Sequence, residues 1–177
     1  MSGATTPPLA VAISGSPRAP SRSRALGELL LRSLADRGYD TRLIDLAALP
    51  ADALLARTQA PELDAAIAAV GEARVVIAAT PTYRALYTGL LKAFFDLMPP
   101  AHLRDKLCVP IQTGASPIHY LAVEYGLRPL FMSLDGIPLA GVYATDDEFS
   151  DGEPSLDLVQ RVEGMATQVM ALATSAG

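Results

Sequence analysis

The sequence predicts an α/β domain with a doubly wound parallel sheet of five strands in the order 2-1-3-4-5. Short apolar runs rich in β-branched residues alternate with longer segments of helical period, which is typical of βαβ units. One run, ARVVIAATP, contains the unbroken apolar stretch VVIAA, as expected for a strand buried on both faces of a parallel sheet. These observations favour a fold in which helices cover both faces of the sheet.

The first half of the chain contributes two strands and two helices. The first strand is LAVAISG, which begins at Leu9, and the leucines that follow at helical spacing predict a helix that ends near Gly38. TRLIDL is the second strand. A helix over PELDAAIAAVGEA follows, because Pro61 and two acidic residues are favourable in a first helical turn.

The second half continues the alternation. ARVVIAATP is the third strand, and the helix LLKAFFDLM ends at Pro99 and Pro100. KLCVPIQTG is the fourth strand, a helix begins at Pro117, GIPLAGVYA is the fifth strand and SLDLVQRVEGMATQVMALA is the last helix. We expect one domain over residues 9–174 and a disordered tail over residues 1–8. The acidic loop TDDEFSDGEP has no role that the sequence reveals.

Composition and charge exclude several classes of function. Lys and Arg number 14 and Asp and Glu 19, a net charge of −5, so we expect no general attraction to nucleic acid or anionic membranes. Without a signal-like start or an apolar run of membrane-spanning length, the chain is expected to be cytoplasmic. Cys108, the only cysteine, lies in an apolar strand pattern and is predicted to be a core residue. Two distant histidines do not predict a metal site.

The loop after the first strand, SGSPRAPSRS, has more hydroxyl and guanidinium groups than a strand-to-helix turn needs. Ser16, Ser21 and Ser23 place hydroxyls around the start of a helix, and Arg18 adds a planar charged donor. With free backbone N–H groups and the helix dipole, they predict a cradle for one phosphate, such as that of flavin mononucleotide (FMN). The alternative is a helix cap at Ser21 or Ser23 with solvated arginines.

Two further loops reach the same edge of the predicted sheet, where doubly wound folds bind their ligands. In TPTYRALYTG, Pro81, Tyr83 and Tyr87 can line a flat apolar ring. In QTGASPIH, Gly114 and neighbouring residues offer N–H groups to a ring carbonyl. The alternative for the tyrosines is packing against neighbouring helices or a subunit partner.

The segment IHYLAVEYGLRPLFM predicts a helix with an irregular turn. Pro129 cannot donate a hydrogen bond to the carbonyl of Tyr125, and Gly126 weakens the helix further. We therefore expect a bulged or kinked turn around Tyr125, and π-bulges of this kind often occur at functional sites. The alternative is an ordinary proline kink with a buried tyrosine.

Three segments together resemble the NADPH-dependent FMN reductases: SGSPRAPSRS, ATPTYRALYTGLLKAFFDLMP and TGASPIHYLAVEYGLRPL. The resemblance covers nearly the whole chain after Pro8, and the likeness is strongest to reductases that supply reduced FMN to alkanesulfonate monooxygenases. It implies a flavodoxin-like fold, FMN as the ligand and NADPH as the hydride donor. NADH remains an alternative donor, because nothing in the sequence separates the two.

The resemblance also implies roles for individual residues. It assigns the FMN phosphate to Ser16, Arg18, Ser21 and Ser23. It assigns the isoalloxazine ring to Pro81, Thr82, Tyr83 and Arg84, with Tyr87 beside them, and the far edge of the ring to Thr113, Gly114, Ala115 and Ser116. Ala115 stands where the family often has a second glycine. Tyr125 matches a tyrosine in a one-residue helical insertion that is associated with a tetramer interface and with FMN that leaves as a substrate.

The resulting prediction is an NAD(P)H-dependent FMN reductase that forms a homodimer or homotetramer and serves a flavin-dependent monooxygenase. The helix GLLKAFFDLMPP is a candidate interface, because its apolar residues Phe94, Phe95, Leu97 and Met98 exceed what one sheet face needs. One alternative retains FMN and reduces quinones, azo compounds or metal oxyanions. Another is a flavodoxin-type electron carrier without an NAD(P)H site.

Overall fold

Five parallel strands form the central sheet in the predicted order, 2-1-3-4-5, in a computed structural model that describes residues 6–174. The strands are β1 (Leu9–Ser14), β2 (Asp40–Asp45), β3 (Val75–Pro81), β4 (Leu107–Gly114) and a fifth strand in two parts, β5 (Ile137–Pro138) and β6 (Val142–Thr145). The predicted fold class is confirmed. Residues 1–5 of the predicted tail lie outside the described part.

The fifth strand is interrupted, so the prediction of one continuous strand over GIPLAGVYA is wrong. β5 and β6 both pair with β4, and the N–H of Leu139 still donates to the carbonyl of Cys108, but residues 140–141 are not paired with β4. Pro110 of β4 has no N–H to donate there. Gly141 has φ +81, and a Cβ at this position would lie 2.3 Å from the carbonyl oxygen of Pro110. The chain therefore bends past Pro110 and rejoins β4 at Val142.

Helices cover both faces of the sheet. They are α1 (Arg22–Ala35), α2 (Ala51–Leu54), α3 (Pro61–Glu72), α4 (Gly89–Asp96), α5 (Arg128–Met132) and α6 (Leu156–Thr174). One core layer lies between the sheet and α2 to α5, and the other lies between the sheet and α1 with α6. Alternation along β3 supplies both layers, with Val76 on the first face and Ile77 on the second. The short α2 was not predicted.

The chain between β4 and α5 contains a π-helical turn, Val123–Leu127. The N–H of Arg128 donates to the carbonyl of Val123, five residues back, instead of four. Pro129 and Gly126 explain why the regular pattern fails here. The predicted bulge around Tyr125 is confirmed, and the alternative with a buried tyrosine is wrong because Tyr125 is 76% exposed.

The apolar residues of α4 and of the turn that follows it pack in the core of the domain. Phe94 is fully buried, Phe95 and Met98 are buried, and Leu97 packs against the same core. They pack against α5 as well as the sheet, with the rings of Phe95 and Phe131 5.9 Å apart. The prediction of an interface on this helix rested on an excess of apolar residues, and that argument is wrong because these residues pack inside the chain. The expectation of an oligomer stays a prediction.

Cys108 is confirmed as a core residue. Its side chain is fully buried, and burial raises the pKa of its thiol to about 12. Within residues 6–174, no helix is both long and apolar enough to cross a membrane. The same residues contain no group of three or more His, Cys, Asp or Glu side chains placed to hold a metal ion.

Candidate functional site

A groove of about 890 Å³ opens at the carboxyl ends of the strands, within the size range of small-molecule sites. The loops after β1, β3 and β4 meet there, as parallel strands require. Among the predicted site residues, those that line it are Ser16, Arg18, Ser21, Pro81, Thr82, Tyr83, Thr113, Gly114 and Ala115. Their role in binding a ligand stays a prediction.

The loop after β1 is ordered by its own serines. Ser21 is the N-cap of α1, and its hydroxyl accepts the N–H of Arg24 at 3.3 Å. The Ser16 hydroxyl donates to the carbonyl of Arg18 at 3.0 Å. Ser23 is fully buried with its hydroxyl 3.1 Å from that of Ser21, so it supports Ser21 and does not line the groove. Ser21 is therefore both the N-cap of α1 and part of the groove in which a phosphate site is predicted.

Arg18 supplies a positive charge without a carboxylate partner. Two arginines line the groove, and Arg22 is paired with Asp146 at 2.8 Å. Arg18 makes no ion pair with any residue in the range 6–174, and its guanidinium lies 5.9 Å from the centre of the Tyr83 ring. An uncompensated guanidinium beside a helix N-terminus is a favourable partner for a phosphate.

Thr88 fastens the loop after β1 to the loop after β3. Its side chain is buried, and its hydroxyl donates to the carbonyl of Gly15 at 2.6 Å and accepts the N–H of Leu91 at 3.1 Å, which caps α4. Gly15 approaches so closely that a Cβ there would lie 2.9 Å from the Cβ of Leu91. The positions of the two loops are therefore coupled.

We expect Thr88→Val to lower the free energy of unfolding by about 1–3 kcal/mol, because it removes a helix cap and leaves the buried carbonyl of Gly15 without its donor. Urea unfolding followed by circular dichroism measures this change. The matched control is Thr58→Val on an exposed loop, which should change stability by no more than about 0.5 kcal/mol. Equal losses for both variants would contradict the role assigned to Thr88.

Only part of the loop after β3 lines the groove. Tyr83 and Leu86 form a tight turn in which the Tyr83 N–H donates to the Leu86 carbonyl at 2.8 Å. The turn forces Arg84 to φ 50 and Ala85 to φ 71. Arg84 is exposed and outside the lining, and Tyr87 packs against the core. The sequence did not show that this turn places Arg84 and Tyr87 outside the groove while Tyr83 lines it.

A hydrogen bond from Tyr143 holds the loop after β4 in place. The Tyr143 hydroxyl donates to the carbonyl of Ser116 at 2.7 Å, so Ser116 faces Tyr143 and is not part of the lining. Burial, with smaller contributions from Asp146 and Glu148, raises the pKa of Tyr143, which keeps the donor protonated. A Cβ at Gly114 would lie 2.6 Å from the Tyr143 hydroxyl, which explains the glycine.

The acidic loop after β6 also lines the groove, which sequence reasoning missed. A 3₁₀ turn (Asp146–Glu148) leads into the hairpin β7 (Phe149–Ser150) and β8 (Glu153–Pro154). Asp146, Asp151 and Glu153 lie along the groove beside Arg22. The signal was available, because the loop follows the fifth strand and therefore starts at the ligand-binding edge of the sheet.

A second cavity, of about 520 Å³, lies between β6 and α6. Its arginine, Arg161, already donates to the carbonyl of Tyr143 at 3.0 Å and pairs with Glu148 and Asp157. None of the predicted site residues lines this cavity. The larger groove is therefore the better candidate site.

The groove lining fits FMN. Arg18 and the start of α1 suit a phosphate, the ring of Tyr83 and the ring of Pro81 suit a flat aromatic system, and backbone N–H groups near Gly114 suit its polar edge. Together with the 2-1-3-4-5 sheet, this lining is typical of flavin-binding oxidoreductases with a flavodoxin-like fold.

Residues 8–151 match the NADPH-dependent FMN reductase family, and the chain belongs to that family. An FMN reductase (NADPH) of Pseudomonas putida is 37% identical over 159 residues, which cover 88% of this chain and 81% of the relative. An NADH-dependent FMN reductase, SfnF, of Pseudomonas fluorescens is 39% identical over 80% of this chain and 78% of its own length.

A solved structure supports the same relationship. The apo form of an NADH:FMN oxidoreductase, EMOB, superposes with a TM-score of 0.85 and 35% sequence identity, and the match covers 91% of this chain and 87% of the other. The prediction of an NAD(P)H-dependent FMN reductase with a flavodoxin-like fold is confirmed at the level of the family.

Proposed function

We propose that this enzyme reduces FMN in the cytoplasm and releases the reduced flavin to a separate flavin-dependent monooxygenase of sulfonate or sulfur assimilation. The reaction is NAD(P)H + H⁺ + FMN → NAD(P)⁺ + FMNH₂. The observation that carries the release step is the π-turn Val123–Leu127, with exposed Tyr125. In the sulfonate-linked reductases that the chain resembles, such a tyrosine accompanies FMN that acts as a substrate.

The chain contributes position and charge to this reaction. Bound FMN supplies the hydride-accepting ring, and hydride transfer needs no protein acid or base. Arg18 and Ser21 hold the phosphate, so that one end of FMN is anchored. Pro81 and Tyr83 lie along the ring, and N–H groups beside Gly114 stabilise negative charge at its polar edge.

Carboxylates that line the same groove favour exchange of FMN. Asp146, Asp151 and Glu153 line the same groove as Arg18, and Asp146 already neutralises Arg22. Like charges near the phosphate lower its affinity. With Arg22 and Asp146 paired, the groove has one arginine, Arg18, and two carboxylates, Asp151 and Glu153, without an ion-pair partner among residues 6–174. This balance suits moderate affinity, which a flavin that leaves after each turnover requires.

An exposed apolar patch around the π-turn favours an oligomer. Leu86, Ile118, Leu121 and Tyr125 surround a shallow cavity of about 290 Å³, and each is at least 43% exposed. Apolar patches of this kind commonly mark protein interfaces. We propose that a second copy of the chain covers the patch within a homotetramer, as the resembling reductases suggest.

Steady-state oxidation of NADPH by the flavin-free protein, with and without added FMN under air, tests the function. Turnover that saturates with FMN and far exceeds the protein concentration supports diffusible FMN. If FMN binds once and turnover then needs a quinone or azo dye, the flavin is retained and the proposal fails. Tight FMN binding without oxidation of either NADPH or NADH would identify an electron carrier.

A further inference from the structure

Gln112 is a polar residue in an otherwise apolar position of the sheet. Alternation along β4 places it on the same face as Cys108, towards the core layer under α4 and α5. Its side chain is fully buried. Its Oε1 atom has no hydrogen-bond partner among residues 6–174, which costs stability in a buried site. A core methionine of similar size would avoid that cost.

The other end of the amide has one partner, and that partner lines the groove. Gln112 Nε2 donates to the Thr82 hydroxyl at 2.9 Å. Thr82 is also fixed through its backbone, because its N–H donates to the carbonyl of Thr113 at 2.7 Å. Gln112 therefore connects the core to the ring-binding loop through a single side-chain contact.

The direction of this hydrogen bond determines what the Thr82 hydroxyl can do. A threonine oxygen carries one proton, and the oxygen here accepts from Gln112, so its proton points elsewhere. Within residues 6–174 that proton has no acceptor. Thr82 lies in the lining of the groove, and its oxygen is 3.0 Å from the Cβ position of Gly114 on the opposite loop. Because Thr82 belongs to the lining of the groove, a ligand there can come within reach of this proton.

We propose that Gln112 is a positioning residue that orients the Thr82 hydroxyl as a hydrogen-bond donor to the polar edge of the flavin ring. This inference rests on the proposed function, because the acceptor is FMN in the groove. The donor favours reduced flavin over oxidised flavin, since the reduced ring carries more negative charge at its carbonyl and nitrogen atoms. Gln112 thus contributes to affinity and potential without contacting FMN.

The first test replaces the hydroxyl by a methyl group of similar shape. Thr82→Val should raise the Kd of FMN about three- to tenfold, as expected for one hydrogen bond. Riboflavin should lose the same factor, because the contact is to the ring and not to the phosphate. The Kd of reduced FMN should rise more than that of oxidised FMN, which makes the potential of the bound flavin more negative. Thr82→Ser keeps the hydroxyl and is the matched control, with a Kd within about twofold of wild type.

The second test separates positioning from stability. Gln112→Met removes the amide and its unpartnered oxygen, so the free energy of unfolding should stay the same or rise. FMN binding should nevertheless weaken about two- to threefold, because the hydroxyl is no longer oriented. In the double variant with Thr82→Val, the loss should equal that of Thr82→Val alone. Flavin fluorescence quenching, chemical unfolding and redox titration measure these quantities.

Two results would overturn the inference. One is a Thr82→Val variant whose Kd for both flavins stays within about twofold of wild type, and the other is additive losses in the double variant. The wild-type protein distinguishes this failure from that of the proposed function. If the wild-type protein binds no FMN, the proposed function fails. If the wild-type protein turns over FMN normally but Thr82→Val leaves the Kd of both flavins unchanged, only the role of Gln112 is removed.

Discussion

Replacing Arg18 and Ser21 together by alanine is expected to raise the Kd of FMN about 100-fold while changing that of riboflavin less than about threefold. Both residues line the groove where we propose that the phosphate binds, and Arg18 has no carboxylate partner in the described part of the chain. Each phosphate contact is worth about 1.4 kcal/mol, near the low end for charged hydrogen bonds because Arg18 is exposed. Isothermal calorimetry with the two flavins measures both constants.

The matched control also removes one arginine, Arg24, but this arginine lies outside the groove. The Arg24 guanidinium is held by Glu28 at 2.8 Å and by Asp45 at 2.5 Å, and Arg24 is not part of the lining. Arg24→Ala should leave the ratio of the two flavin affinities unchanged. Because Ser21 caps α1, its loss also costs about 1 kcal/mol of stability, and thermal unfolding checks that the variant stays folded. Equal losses of FMN and riboflavin would disprove the phosphate site.

Deleting Tyr125 is expected to make the protein retain FMN, with a Kd at least about tenfold lower than that of the wild type. Without this residue, the N–H of Arg128 lies four positions from the carbonyl of Val123, so a regular helical turn can replace the π-turn. The deletion removes little core packing, because Tyr125 is mostly exposed. The effect can reach the groove through Gly126, whose Cβ position lies 2.9 Å from Leu86 in the loop after β3.

The content of FMN after gel filtration, and NADPH oxidation with and without added FMN, measure the effect of this deletion. Tyr125→Ala is the control, because it removes the ring but keeps the residue count and the π-type hydrogen bond. Its FMN content and Kd should equal those of the wild type. Light scattering on the same samples shows whether the chain is a tetramer. Unchanged flavin release in the deletion variant would remove the link between the π-turn and FMN exchange.

The strands, the main helices and the edge where the loops meet could be predicted because their signals are local. The apolar stretch VVIAA indicates a buried strand, and Pro129 with Gly126 predicts the irregular turn, whatever the rest of the chain does. Once the doubly wound class is known, the loops after β1, β3 and β4 must reach one edge. The sequence therefore predicts that the loop after β1 and much of the loop after β3 reach the groove, and residues of both loops line it.

The direction of individual side chains could not be predicted from these patterns. Ser21, the N-cap of α1, and Ser23, in its first turn, are two residues apart, yet only Ser21 lines the groove. Arg84 and Tyr87 leave the groove because a tight turn intervenes. Phe94 and Phe95 looked like an excess of apolar surface, but α5 also packs against them, and a one-dimensional pattern does not show that second neighbour.

The fold class, the irregular helix and the concentration of hydroxyl and guanidinium groups after β1 are properties of neighbouring residues, so the amino-acid order alone determined them. Contacts between distant residues were decided by the tertiary structure: Pro110 interrupts the ladder beside Gly141, and Asp146 neutralises Arg22. Gln112 and Thr82 are 30 positions apart, and only the pairing of β3 with β4 brings them within hydrogen-bond distance. Such contacts depend on the packed sheet, because a hydrogen bond or ion pair forms only when both partners are held at a few ångströms.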